Sequence, residues 1–125
     1  MEDRTLGLKL LLVDDEPSIL ATLRLILKSE GFDVHTASSG KAAKAALVQT
    51  SFDVVLTDLS MESTTSGYDV VHAAQTQTRK PVTVVLSGYP ELLDNWQFEG
   101  ADAGLQKPTD VPDLLETIHR LVRNR

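Results

Sequence analysis

Leu8-Lys9-Leu10-Leu11-Leu12-Val13-Asp14-Asp15 is a nearly continuous apolar run that stops on two acids. A run this short and this apolar suits a strand covered on both faces, as in a parallel sheet. Four more runs follow. Residues 33–37 make a weaker strand candidate. Residues 52–57 hold Val54, Val55 and Leu56 and stop at Asp58. Residues 82–86 are rich in β-branched side chains and stop at Ser87. Residues 103–106 are short and stop at Lys107.

The segments between these runs read as helices. In residues 17–30, Ile19, Leu20, Leu23, Ile26 and Leu27 recur at the spacing of one helical face. Pro17 fits the first turn and Gly31 the stop. Ser39 is placed to cap an Ala-rich helix over 40–50. Residues 68–77 are a weaker candidate, and 90–99 a fourth, with Gly100 as its stop. In the last, Val111, Leu114, Leu115, Ile118, Leu121 and Val122 form a stripe, with Asp110 as cap and Pro112 in the first turn. Five strands alternating with five helices predict a doubly wound α/β fold with helices on both faces of a parallel sheet. Ligands of such folds sit outside the carboxyl ends of the strands, where the strand order reverses.

The 125 residues suffice for one domain and not for two. With no cysteine, disulfides, thiolate metal sites and a Cys nucleophile are excluded together. Eighteen acids against 12 Lys and Arg give a net charge of −6. A chain with that charge repels nucleic acid, so no direct nucleic-acid binding is expected. The basic cluster Arg120, Arg123 and Arg125 reads as a helix end whose dipole favours cations. No apolar run approaches the ~20 residues that span a bilayer, and residues 1–7 are polar. The expectation is a cytoplasmic protein without a membrane association.

The strand ends carry the chemistry. Asp14, Asp15, Asp58, Ser87 and Lys107 are each the first polar residues after an apolar run, so all emerge at one edge of the sheet. Taken singly, the acids read as helix caps or turn residues, Ser87-Gly88 as a strand-ending turn and Lys107 as a solvated lysine. Taken together, three carboxylates repel unless a cation sits among them, and a hard divalent ion with oxygen ligands meets that need. A carboxylate nucleophile, a metal, a hydroxyl and an ammonium suit phosphoryl transfer.

These residues also carry a resemblance. LLLVDDEP, VVLTDLSM, VVLSG and GLQKP, in this order and spacing, resemble the response-regulator receiver domain of two-component signalling, over about residues 8–121. The resemblance implies a flavodoxin-like five-stranded sheet of order 2-1-3-4-5, and one receiver domain over 1–125 with its core at about 8–122 and a short extension at 1–7. It implies a switch that takes a phosphoryl group from a histidine kinase or phosphotransfer protein onto Asp58. Asp15 would bind Mg²⁺ directly (Mn²⁺ as a substitute), Asp14 mainly through water, and Ser60 through its backbone carbonyl. Ser87 would hydrogen-bond a phosphoryl oxygen, Gly88 keep the entrance open and Lys107 pair with the phosphate. The Lys107–Pro108 bond would often be cis. The output surface would span the fourth helix, fifth strand and fifth helix, and would bind an output domain, another protein or a second copy. A receiver of this kind is not an enzyme on external substrates.

Two positions depart from the family pattern. Gly104 stands where receivers carry an aromatic switch residue, so Tyr89 or a backbone shift at Gly104 is expected to take over part of that role. Glu62 stands where a proline is usual, and the following glycine is Gly67, which makes 61–66 a polar loop about one residue longer than usual. A degenerate receiver that binds partners without phosphate is the nearest rival reading. A haloacid-dehalogenase-type phosphatase would need a second acid two residues after the nucleophile, where Ser60 stands. His35, His72 and His119 lack ligand spacing, and His72 and His119 are expected on helix surfaces. Trp96 is expected as a packing residue or part of a helix surface.

Overall fold

The computed structural model describes residues 6–107 and 110–125. Pro108, and with it the geometry of the Lys107–Pro108 bond, lies outside the described residues. The strands are β1 (Lys9–Val13), β2 (Asp33–Ala37), β3 (Val54–Asp58), β4 (Val82–Ser87) and β5 (Ala103–Gln106). They form one parallel sheet of order β2-β1-β3-β4-β5. The helices are α1 (Pro17–Ser29), α2 (Gly40–Gln49), α3 (Ser66–Gln75), α4 (Pro90–Leu93) and α5 (Val111–Arg123). The doubly wound five-stranded fold is therefore as the sequence predicts.

Burial explains which strands were plainest to read. Every residue of β3 and β4 is buried, as are all of β1 except Lys9, while edge strands β2 and β5 are mixed. The sheet face bearing Leu10, Leu12, Leu56, Val84 and Leu86 packs on Leu27 of α1 and on Leu114, Ile118 and Val122 of α5. The opposite face packs Leu11, Val13 and Val55 on α2 and α3. Each fully buried Leu or Val contributes about 1.5–3 kcal/mol of transfer free energy. The apolar stripe of α5 is the inward side of that helix.

Three helix expectations change. Ser39 caps α2 as read, its Oγ accepting from the Ala42 amide at 3.0 Å. Asp110 precedes α5 but makes no side-chain cap. The third helix begins two residues early, because Gly67 docks on the end of β3. Its amide donates to the Leu59 carbonyl at 2.7 Å, and a Cβ there would collide with the Asp58 carbonyl and lie 2.7 Å from Leu59 Cα. Only glycine allows that approach. The helix expected over 90–99 is a single turn, α4, followed by turns to Gly100. Trp96 stands in those turns rather than on a helix. His119 is only half-buried on α5: its ring lies 6.4 Å from that of Phe32, and Nε2 is buried without a hydrogen-bond partner among the described residues. His72 is half-exposed, as expected, and lies 3.0 Å from Glu99.

Candidate functional site

Strand order reverses between β1 and β3, and the acids stand at their carboxyl ends. Asp14 and Asp15 follow the last residue of β1, and Asp58 ends β3. Asp14 and Asp58 are buried and Asp15 is exposed. The three each offer a carboxylate oxygen, all within 4.8 Å of one another. Such a set of hard oxygen donors fits a small divalent cation.

Lys107, just past β5, reaches back across the edge. Its Nζ lies 3.0 Å from Asp58 Oδ1 and 3.2 Å from Asp14 Oδ2. The backbone holds it there, since its amide donates to the Ser87 carbonyl at 2.7 Å. Both Asp14 oxygens are engaged: Oδ1 accepts from the Glu16 amide at 3.0 Å, and Oδ2 faces Lys107. One ammonium thus serves two of the three carboxylates. Burial holds the Asp58 carboxyl above the usual range, outweighing the pull of Lys107, and Asp14 and Asp15 push it the same way. Burial alone would lower Lys107, but Asp58 and Asp14 together raise it.

Ser87 ends β4 and is buried. Its Oγ accepts from the Tyr89 amide at 3.0 Å and donates to the Tyr89 carbonyl at 3.3 Å. All five predicted strand-end residues therefore gather at one edge. The loop after β3 is internally tied: Ser60 Oγ donates to the Thr64 carbonyl at 2.7 Å, and the Met61 amide donates to Ser66 Oγ at 3.0 Å.

Glu62 has a structural role that the sequence did not disclose. Its carboxylate accepts from the Gly40 amide at 2.8 Å and the Lys41 amide at 3.0 Å, capping α2 from another loop. Those bonds hold its carboxyl below the usual range. An acid 22 positions from the helix it caps leaves no local signal. Tyr68 was likewise missed, its hydroxyl donating to the Leu92 carbonyl at 2.6 Å and so fastening α4 to α3.

The family model of the response regulator receiver domain matches residues 10–119. The chain belongs to that family. This receiver is 30% identical over 118 residues to the cell cycle response regulator CtrA of Brucella ovis, covering 93% of this chain and 50% of that protein. It thus spans about half the length of the curated relatives it matches. Among solved structures, the receiver is similar to the chemotaxis response regulator CheY4 of Vibrio cholerae, at 32% identity and a TM-score of 0.80 over 92% of this chain and 98% of that one. A CheY-like receiver domain protein of Methanospirillum hungatei gives 26% and 0.85, covering 95% of each chain. TrrA of Thermotoga maritima, solved in complex with Mg²⁺–BeF, gives 25% and 0.80 over 90% of this chain and 97% of that one. Among the described residues of this receiver, no helix is long and apolar enough to cross a membrane.

Proposed function

We propose that this receiver is a phosphorylation-controlled switch that accepts a phosphoryl group on Asp58. The observation that carries the reading is the 3.0 Å approach of Lys107 Nζ to Asp58 Oδ1 beside the carboxylates of Asp14 and Asp15. The donor is a phosphohistidine on a sensor kinase or phosphotransfer protein. An Asp58 oxygen attacks phosphorus while the P–N bond breaks. The electron pair returns to the imidazole, which is then protonated, and Asp58 becomes an acyl phosphate. Hydrolysis reverses the charge: water attacks phosphorus, inorganic phosphate leaves and the carboxylate returns.

Each neighbour has a role. Lys107 pairs with the developing phosphoryl charge as it leaves the Asp58 oxygen it holds at rest. Ser87 exchanges its bonds to Tyr89 for one to a phosphoryl oxygen. Asp15, Asp58 and the Ser60 carbonyl would hold Mg²⁺ (or Mn²⁺) directly. Asp14, with both oxygens engaged, would act through water. The metal supplies charge neutralisation for the phosphoryl oxygens. That the similar receiver TrrA was solved with Mg²⁺–BeF supports a Mg²⁺ site here.

We read residues 1–125 as a single receiver domain of the cytoplasm, with its core at 8–122. It catalyses its own phosphorylation and dephosphorylation and turns over no other substrate. Its partners are the phosphodonor protein and an output domain or protein, engaged through the α4-β5-α5 face, which also serves a second copy.

The test is incubation with acetyl phosphate and Mg²⁺, followed by intact-mass measurement. A phosphoryl adduct on wild type that is absent from Asp58→Asn is expected. No adduct on wild type, or one that survives Asp58→Asn, overturns the proposal and leaves a phosphate-independent binding module.

A further inference from the structure

Position 104 carries no side chain, yet the space above it is filled. A Cβ built on Gly104 would lie 2.6 Å from Trp96 Cδ1 and 2.8 Å from Cγ. The indole therefore rests directly on the β5 backbone. Gly104 pairs with Val85 of β4, and Val85 with Thr57 of β3. Register partners in a parallel sheet share a face, so Trp96 covers the face that carries Val85.

Trp96 packs against a cluster of Leu59, Tyr68, Val71, Val85, Leu93 and Ala101. Two of these adjoin the acidic edge. Leu59 follows Asp58 in the chain, and its amide donates to the Leu86 carbonyl at 2.8 Å. Val85 precedes Ser87 by two residues on the same face. The backbone of Trp96 is fastened on both sides, its amide donating to Leu93 at 3.1 Å and its carbonyl accepting from Ala101 at 3.0 Å. α4 has four residues and cannot hold a helix by itself. Its place is set by the Trp96 seat and by the Tyr68 bond to Leu92.

We infer that the Trp96–Gly104 contact carries the response at Asp58 and Ser87 to the 89–100 surface of this chain. The inference rests on the reading of Asp58 as phosphoacceptor. When Ser87 turns to a phosphoryl oxygen it releases both Tyr89 bonds, which tie down the residue immediately before α4. The freed segment moves as a unit, because a packed indole is either seated or displaced. Room for that movement exists in an open groove of about 530 Å³ lined by Ser60, Met61, Glu62, Tyr89 and Leu92 among others. Phe98, 91% exposed, rides on the same segment and is the apolar group whose presentation changes. Tyr89 is 57% exposed and leaves the ring position over β5 to Trp96.

Trp96 is the single tryptophan of the chain, so its emission reports its seat. The experiment adds beryllofluoride and Mg²⁺, follows that emission, and reads occupancy of the site from the amide resonances of Asp58 and Ser87. In wild type, site amides, Trp96 emission and the amides of 89–101 shift together, and Asp58→Asn abolishes all three. Gly104→Ala pushes the ring off its seat, giving red-shifted emission before any addition and loss of most of the further response, while the site amides still shift. Trp96→Leu, which keeps an apolar group in the cluster, also keeps the site response and loses most of the shift at 89–101. Adding Gly104→Phe to Trp96→Leu supplies a ring from β5 and restores that shift. Site amides that shift in wild type while Trp96 emission and the 89–101 amides stay fixed overturn the inference and leave the reading of Asp58 standing. Site amides that never shift overturn both.

Discussion

Lys107 Nζ stands 3.0 Å from Asp58 Oδ1, and the two side chains are 26% and 11% exposed. At rest Asp58, the proposed phosphoacceptor, is thus already paired with the cation proposed to pair with its phosphate. Removing the lysine leaves Asp58 and buried Asp14 facing each other without it. Lys107→Met is expected to cost about 1–3 kcal/mol in metal-free buffer. Mg²⁺ should return part of that loss, since an ion bound only by the folded state adds about 1.4 kcal/mol at ten times its dissociation constant. Urea unfolding with and without Mg²⁺ measures both changes. A variant as stable as wild type in metal-free buffer refutes the pairing.

Burial raises the Asp58 carboxyl above its ordinary 3.8, ahead of the opposing pull of Lys107. The folded state therefore binds that proton more tightly than the unfolded chain. The stability this contributes is complete below 3.8 and is lost as pH rises through the folded value. At neutral pH the ionised carboxylate weighs against the metal-free fold. Asp58→Asn is expected to raise Tm at neutral pH, with the gain shrinking as pH falls toward 3.8. Thermal melts across pH, with chelator present, measure it. A gain that is flat with pH contradicts the linkage.

Glu62 accepts two amides of the first turn of α2, and those bonds hold its carboxyl below 4.5. The sign is opposite to that of Asp58. Its contribution is present above the unfolded value and is lost as pH falls through the folded one. Because the carboxylate is exposed to water, the loss in Glu62→Ala at neutral pH is expected to be only about 0.5–1 kcal/mol. The difference from wild type should close at acid pH. Chemical denaturation of the pair at several pH values tests this.

His119 is half-buried, and its Nε2 is buried with no hydrogen-bond partner among the described residues. A polar atom stranded in this way costs stability that an apolar side chain recovers. His119→Leu is expected to gain about 1 kcal/mol, or about 4 °C in Tm. A loss of stability would mean that the ring contact with Phe32 outweighs the unsatisfied nitrogen.

The parts of the molecule legible in its sequence are those decided locally. Leu10 to Val13 and Val54 to Leu56 are apolar because helices cover both faces of β1 and β3, so both strands and the acids at their ends could be read directly. Ser39 lies beside the helix it caps, and its pattern was visible. Glu62 caps the same helix from across a loop, and nothing near Gly40 signals it. Residues 90–99 have helical composition, but Trp96 seats on Gly104 and turns replace all but one turn of helix. His119 looked like a surface residue because it flanks the α5 stripe, but Phe32, from a distant segment, stands beside its ring and leaves it half-buried. The candidate site was legible because five residues at the ends of four strands meet at one edge. The route away from them was not, because it runs through contacts between segments.

Arg125 turns back against the start of the sheet, its guanidinium donating to the carbonyls of Asp53 at 3.2 Å and Lys80 at 3.4 Å. Those carbonyls precede β3 and β4, whereas Asp58 and Ser87 end them. A five-residue strand puts about 16 Å between the two edges. Anchoring the protein to a sensor chip, or attaching a dye, through residue 125 therefore leaves the acidic edge open to a phosphodonor. The same attachment placed at residue 62 or 89 would stand in its doorway.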